Sequence, residues 1–165
     1  MKKQTVRWFS GWLILAWATA CPAAQPYPPL EFADDLSALG KLAAQRGAPI
    51  MLVFTRPDCP FCIRAKKDHL EPLRVSQSYG AKVIVREIET ANNRIALRDF
   101  DGQPTTHGDF ARRYEVRNVP TVVVVDAQGK LLADPIIGLT TPDFYNLYLE
   151  QAIDVVRLQL RPRTQ

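Results

Sequence analysis

The spacing of apolar residues changes several times along the chain, and each change marks an element boundary. Leu36, Leu39, Leu42 and Ala43 fall on one side of a helix that stops at Arg46-Gly47. After Pro49, Ile50-Met51-Leu52-Val53-Phe54 is apolar without alternation, as expected of a central strand covered on both faces. Arg56-Pro57-Asp58 turns the chain, and a helix is predicted from about Pro60 to Leu70, ending before Pro72. Lys82 to Ile88 reads as a second strand.

Ala91 to Arg113 is polar, with two weak helical patches, Arg94 to Phe100 and Asp109 to Tyr114, broken apart by Asp101-Gly102-Gln103-Pro104. Thr121 to Val125 is β-branched and predicts a third strand, which Asp126-Ala127-Gln128-Gly129 turns into Lys130-Leu131-Leu132-Ala133. After Gly138, Thr141-Pro142-Asp143 starts a last helix, with Phe144, Leu147, Tyr148, Ala152, Val155 and Val156 as its apolar face. Helices and strands in this order predict an α/β sandwich with a mixed sheet.

The chain has 165 residues, enough for one domain plus appendages, and 47% hydrophobic with 23% charged residues suits a globular core. Its formal charge of +4 is concentrated at the start. Without Lys2, Lys3 and Arg7, 18 basic residues face 17 acidic ones, which gives no reason to expect nucleic acid as a partner.

Those three cations precede an apolar stretch, Trp8 to Trp17, and the small residues Ala18-Thr19-Ala20. Residues 1–24 therefore read as an export signal, with an apolar part too short to span a bilayer comfortably. Cys21 directly follows and is a candidate for lipidation, although Ala18 stands where a better lipobox has Leu. Cleavage after Ala20 or Ala23 without a lipid is equally consistent. Gln25 to Pro29 is Pro-rich, so 25–30 reads as an extended linker into a domain over 31–160, with 161–165 as a tail.

With Cys21 removed or lipidated, Cys59 and Cys62 are the whole thiol chemistry of the mature chain. Placed at a helix start, Cys59 points its sulfur at unpaired N–H groups of the first turn. That field favours a thiolate, which makes Cys59 the nucleophile and Cys62 the resolving residue. Pro60 suits the first turn because its missing N–H would have no partner there. Zinc would need about four ligands, and His69 and His107 are the only histidines. A disulfide over so short a loop would stabilise little, so redox chemistry is the stronger reading.

Val119-Pro120-Thr121 sets a proline directly before a strand, where it marks a first residue or an edge. Together with Val53-Phe54, Cys59-Pro60-Phe61-Cys62, the Asp126 to Gly129 turn and Gly138, it resembles the thioredoxin superfamily over nearly all of Leu36 to Ile153. The resemblance implies a thioredoxin fold with a helical insertion before the proline strand. It also implies a cis Pro120 beside the active-site disulfide, and a Val119 backbone that holds an extended substrate. Pro60, Phe61 and Thr121 complete the expected support.

The departures narrow the subfamily. Asp58 and Pro60-Phe61 replace thioredoxin's Trp and Gly-Pro, and its buried acid falls on Val53. Glu87, on the next strand, is the candidate for proton transfer at Cys62, against the plainer reading of a solvent-facing strand residue. Arg56 and Lys66 are cations near the pair, Lys66 reading more simply as surface charge. The local sequence resembles glutaredoxins and periplasmic disulfide isomerases, and the long insertion resembles periplasmic thioredoxin-like proteins of sulfur oxidation or cytochrome c maturation.

The resulting expectation is a periplasmic thiol–disulfide oxidoreductase that needs no cofactor or metal and exchanges with thiols or disulfides of partner proteins. The lean is toward a reductase fed by a membrane electron donor, and toward a monomer with Cys21 as its tether if lipidated. A disulfide-donating oxidant and a thioredoxin-fold binding module without turnover are the alternatives.

Overall fold

The computed structural model of the protein describes residues 27–160. The export signal, Cys21 and the tail lie outside the described residues.

β1 (Ile50–Thr55) sits inside a four-stranded sheet of order β2-β1-β5-β6. β2 (Ile84–Glu89) runs parallel to it, while β5 (Thr121–Val125) and β6 (Ile136–Ile137) complete the sheet through antiparallel pairings. Successive strand side chains point to opposite faces, which explains the unbroken apolar run. Met51, Val53, Val122 and Val124 enter one half-core, with Leu70, Leu73, Tyr145 and Leu149. Ile50, Leu52, Phe54, Val123 and Val125 enter the other, with Leu36, Leu39 and Phe110. Each buried side chain of this size contributes about 1.5–3 kcal/mol.

α1 (Leu36–Arg46) covers the second half-core, with Asp35 as its cap accepting the Ala38 N–H at 2.8 Å. Gly47 ends it at φ 57°, a left-handed cap that glycine adopts without strain. A Cβ at Gly40 would strike the Ala127 carbonyl, so this helix rests its backbone on the turn after β5. Residues 31–33 extend the sheet beyond β2: the Glu87 N–H donates to Glu31 O, and the Ala33 N–H to Glu87 O. Leu30 already lies in the core, and Arg74 binds the Pro28 and Pro29 carbonyls, so the stretch expected as a linker ends inside the domain.

Several expectations are corrected. The helix begun at Pro60 does not stop before Pro72. α2 (Pro60–Ala65) runs through a widened π turn, Lys66–Leu70, into α3 (Glu71–Val75). A proline inside a helix clashes with the carbonyl four residues back, and i→i+5 bonding opens the turn there. The Arg94 to Phe100 patch is not helical. β3 (Ala96–Arg98) pairs with β4 (Pro104–Thr106) as a hairpin, closed where the Asp99 N–H donates to Gln103 O and the Gly102 N–H to Asp99 O.

α4 (His107–Arg113) follows under a Thr106 cap, close to its expected place. The strand expected at Lys130 to Ala133 reduces to one bridge, Leu131 to Val125, and the edge strand forms at Ile136–Ile137. α5 (Pro142–Leu160) starts where expected but buries Tyr145, Leu149, Ile153 and Val156. Of the face predicted for it, only Ala152 and Val156 turn inward, because the helix is apolar on two sides.

Candidate active site

Cys59 is the N-cap of α2, with extended backbone at φ −100° and ψ 108°. Its sulfur accepts the Cys62 N–H at 3.1 Å, and its carbonyl accepts the N–H groups of Cys62 and Ile63. Pro60 takes the first helical position, where no amide hydrogen is needed. Cys59 and Cys62 are joined by a disulfide with Cα atoms 5.2 Å apart. Cys62 is fully buried and Cys59 half-buried, so an incoming molecule can reach only the first sulfur. Phe61 stands 61% exposed beside it.

The Val119–Pro120 peptide bond is cis, and the Val119 carbonyl oxygen lies 3.8 Å from the Cys59 sulfur. The Thr121 hydroxyl donates to Asn118 O at 2.8 Å, and the Gly138 N–H donates to Pro120 O at 2.7 Å. These two bonds fix the loop from both sides. Among the described residues no hydrogen-bond partner is recorded for the Val119 N–H.

Glu87 does not face solvent. It is 4% exposed and pairs in register with Val53, so both side chains project to the same face beneath α2. Its Oε1 accepts the Thr55 hydroxyl at 2.5 Å and the Lys66 ammonium at 2.7 Å. Lys66 is therefore one half of a largely buried ion pair, where surface charge had been the simpler expectation. Arg56 is engaged as well: both its Nε and its Nη2 donate to Asp58, and that hydrogen bond holds the Asp58 carboxyl below its usual value. Neither cation is free to stabilise a Cys59 thiolate on its own.

The two histidines are placed apart. His69 Nδ1 meets Asn146 Oδ1 at 2.9 Å. His107 is fully buried, donating from Nε2 to Ala33 O at 2.7 Å and accepting the Glu89 N–H at Nδ1. Burial pushes its pKa down and keeps it neutral. Among the described residues no group of three or more His, Cys, Asp or Glu is placed to hold a metal ion. Sequence reasoning missed Thr55 and the Lys66 pairing. The available signals were a hydroxyl closing an apolar strand and a lone acid between Arg86 and Ile88.

The thioredoxin-like domain model matches residues 38–153, most of the chain. The thiol:disulfide interchange protein DsbD of Salmonella paratyphi A is 31% identical over 121 residues, 69% of this chain and 19% of that protein. The methylamine utilization protein MauD of Methylophilus methylotrophus is 30% identical over 95 residues, 53% of this chain and 42% of that protein. The chain thus spans about a fifth of the length of the first of these relatives. The DsbH oxidoreductase superposes with a TM-score of 0.56 at 21% identity, covering 81% of this chain and 88% of that one. Mitochondrial thioredoxin 3 of Saccharomyces cerevisiae gives 0.51 at 22%, covering 76% and 93%. With its Cys59–Cys62 disulfide on this fold, the chain belongs to the thioredoxin-like family of thiol–disulfide oxidoreductases.

Proposed function

We propose that the chain is an exported, periplasmic oxidoreductase that reduces a disulfide in a partner protein. The observation that carries the exchange chemistry is the asymmetry of the pair: Cys59 is reachable at the helix cap, while Cys62 is closed off behind it. In the reduced form the Cys59 thiolate attacks one sulfur of the partner's disulfide. That S–S bond breaks, a Cys59–partner bond forms, and the displaced thiolate takes a proton from water. Cys62 then loses its proton and attacks the Cys59 sulfur; the Cys59–Cys62 bond forms as the Cys59–partner bond breaks, and the partner's second sulfur leaves as a thiolate that takes a proton from water. The partner gains two electrons and two protons. A membrane dithiol donor returns the chain to its reduced form, and residues 1–24 support export to where it would meet one.

In this reading the Val119 backbone holds the partner as an extended strand beside Cys59, and Pro60, Phe61, Pro120 and Thr121 shape that surface. Glu87 takes the Cys62 proton: it is buried under the helix that carries Cys62 and reaches that helix one turn further on, at Lys66.

The test is the reduction potential of the Cys59–Cys62 couple, equilibrated with glutathione. A value near about −270 mV supports the reductase, and one near about −120 mV would make the chain a disulfide donor. No reversible couple would sink the catalytic reading altogether.

A further inference from the structure

We propose that the outer face of α5 is the contact surface of a two-fold homodimer, in which this helix packs antiparallel against the same helix of a second copy. The helix has two apolar faces. One, from Tyr145 to Val156, is buried against the sheet. The other faces solvent: Phe144 is 57% exposed, Leu147 46%, Tyr148 41%, Val155 51% and Leu158 65%. No other element carries so many exposed large apolar side chains among the described residues.

The spacing of this outer face points to its occupant. Positions 144, 148, 151, 155 and 158 alternate steps of four and three residues, the repeat that keeps a seam on one side of a helix for packing against another. Leu147 widens the seam. The only polar member is Gln151, which stands seven residues from Phe144 and seven from Leu158. A two-fold contact must be complementary to itself. Antiparallel pairing that covers the whole stripe sets its axis at the midpoint, so the two Gln151 side chains lie beside each other and the Phe144 end covers the Leu158 end.

The area suits a reversible dimer. At on the order of 150–200 Å² per side chain of this size, the five residues expose about 450 Å² in each copy. A symmetric pair would bury about 900 Å² from these alone, near the ~1,000 Å² at which specific interfaces begin. Asp143, Glu150 and Asp154 flank the stripe, which disfavours an anionic lipid surface as the occupant.

The experiment is the mass of the purified chain by sedimentation equilibrium, from about 5 μM to about 1 mM in reducing buffer, so that thiol cross-links play no part. The expected result is a mass that doubles across this range. Gln151→Glu and Gln151→Lys, at an exposed position with unchanged melting temperature, each weaken association at least about tenfold by setting like charges at the axis. An equal mixture of the two variants restores it. A mass that stays monomeric throughout overturns the proposal, including the case in which lipid vesicles sediment the monomer. Dimers indifferent to both variants, or variants whose mixture fails to associate, overturn it as well.

Discussion

Glu87 stands across from Val53 in the parallel β1–β2 register, and one of its oxygens takes both the Thr55 hydroxyl and the Lys66 ammonium. An acid is thus brought beneath the active-site helix from the neighbouring strand, although the strand leading into that helix carries only apolar residues at the corresponding level. The cost of burying a carboxylate is offset by two donors on a single oxygen.

If Glu87 takes the Cys62 proton, Glu87→Gln leaves the first attack by Cys59 at its normal rate. Release of the mixed disulfide slows by about tenfold or more. Rapid-quench thiol trapping separates the two steps, and equal release rates in both proteins would remove Glu87 from the mechanism.

The same pair predicts a stability pattern. Lys66→Met leaves the carboxylate without its cation and lowers stability by about 2–4 kcal/mol in urea denaturation. Replacing both residues, as Lys66→Met with Glu87→Leu, recovers most of that loss. A neutral single variant would mean that solvent satisfies Glu87.

Accessibility predicts the thiol chemistry. In the reduced chain iodoacetamide labels Cys59 and spares Cys62, which is buried. Cys59→Ser abolishes turnover, whereas Cys62→Ser accumulates a partner joined through Cys59. Mass spectrometry of the labelled peptides decides the first point, and a non-reducing gel decides the second.

His107 makes the fold sensitive to acid. Its folded pKa lies below the unfolded value of about 6.5 because burial disfavours the imidazolium. Below about pH 6.5 the unfolded chain therefore binds the extra proton first. The stability contributed by the neutral ring is complete above that pH and is lost as pH falls through the folded pKa. Protonation also removes the acceptor for the Glu89 N–H. His107→Leu should be less stable at pH 7 by about 1–3 kcal/mol and show less of this acid dependence. Parallel titration curves for the two proteins would exclude the ring as the cause.

The two faces of α5 separate cleanly by mutation. Leu149→Ala, at a fully buried position, costs about 2–5 kcal/mol. Leu147→Ala, at an exposed one, changes the stability of the dilute chain by about 0.5 kcal/mol or less. Thermal melts at micromolar concentration show which side faces the core.

That helix also shows where sequence reading stops. An apolar stripe at helical spacing identifies a helix, but α5 carries two such stripes, and the sheet chooses between them through packing that no local pattern records. β1 was legible because burial on both faces leaves no polar residue in Ile50 to Phe54. The β3–β4 hairpin was not, since three-residue strands carry too little periodicity to outweigh helix-compatible residues such as Ala96, Leu97 and Arg98. At the site, the cysteine pair could be read from its spacing at a helix start, while Val119-Pro120-Thr121 drew its meaning from the thioredoxin resemblance. The engagement of Lys66 was not, because it depends on how far the helix has rotated when it passes Glu87.

The π turn at Lys66–Leu70 sets the rotation of the helix beyond that point. Residues in a regular helix advance by about 100° each, and a widened turn sets the phase back by about one residue. With the shift, Leu70 falls on the inward side shared by Cys62 and Ala65; without it, Leu70 would swing toward the flank. The helix behaves as two gears meshed through a half-slipped tooth, one indexed to the disulfide and the other to the core. Deleting a single residue between Lys67 and His69 removes the extra residue that the widened turn holds, so a regular helix would keep the cysteines and the hydrophobic contacts behind them in step.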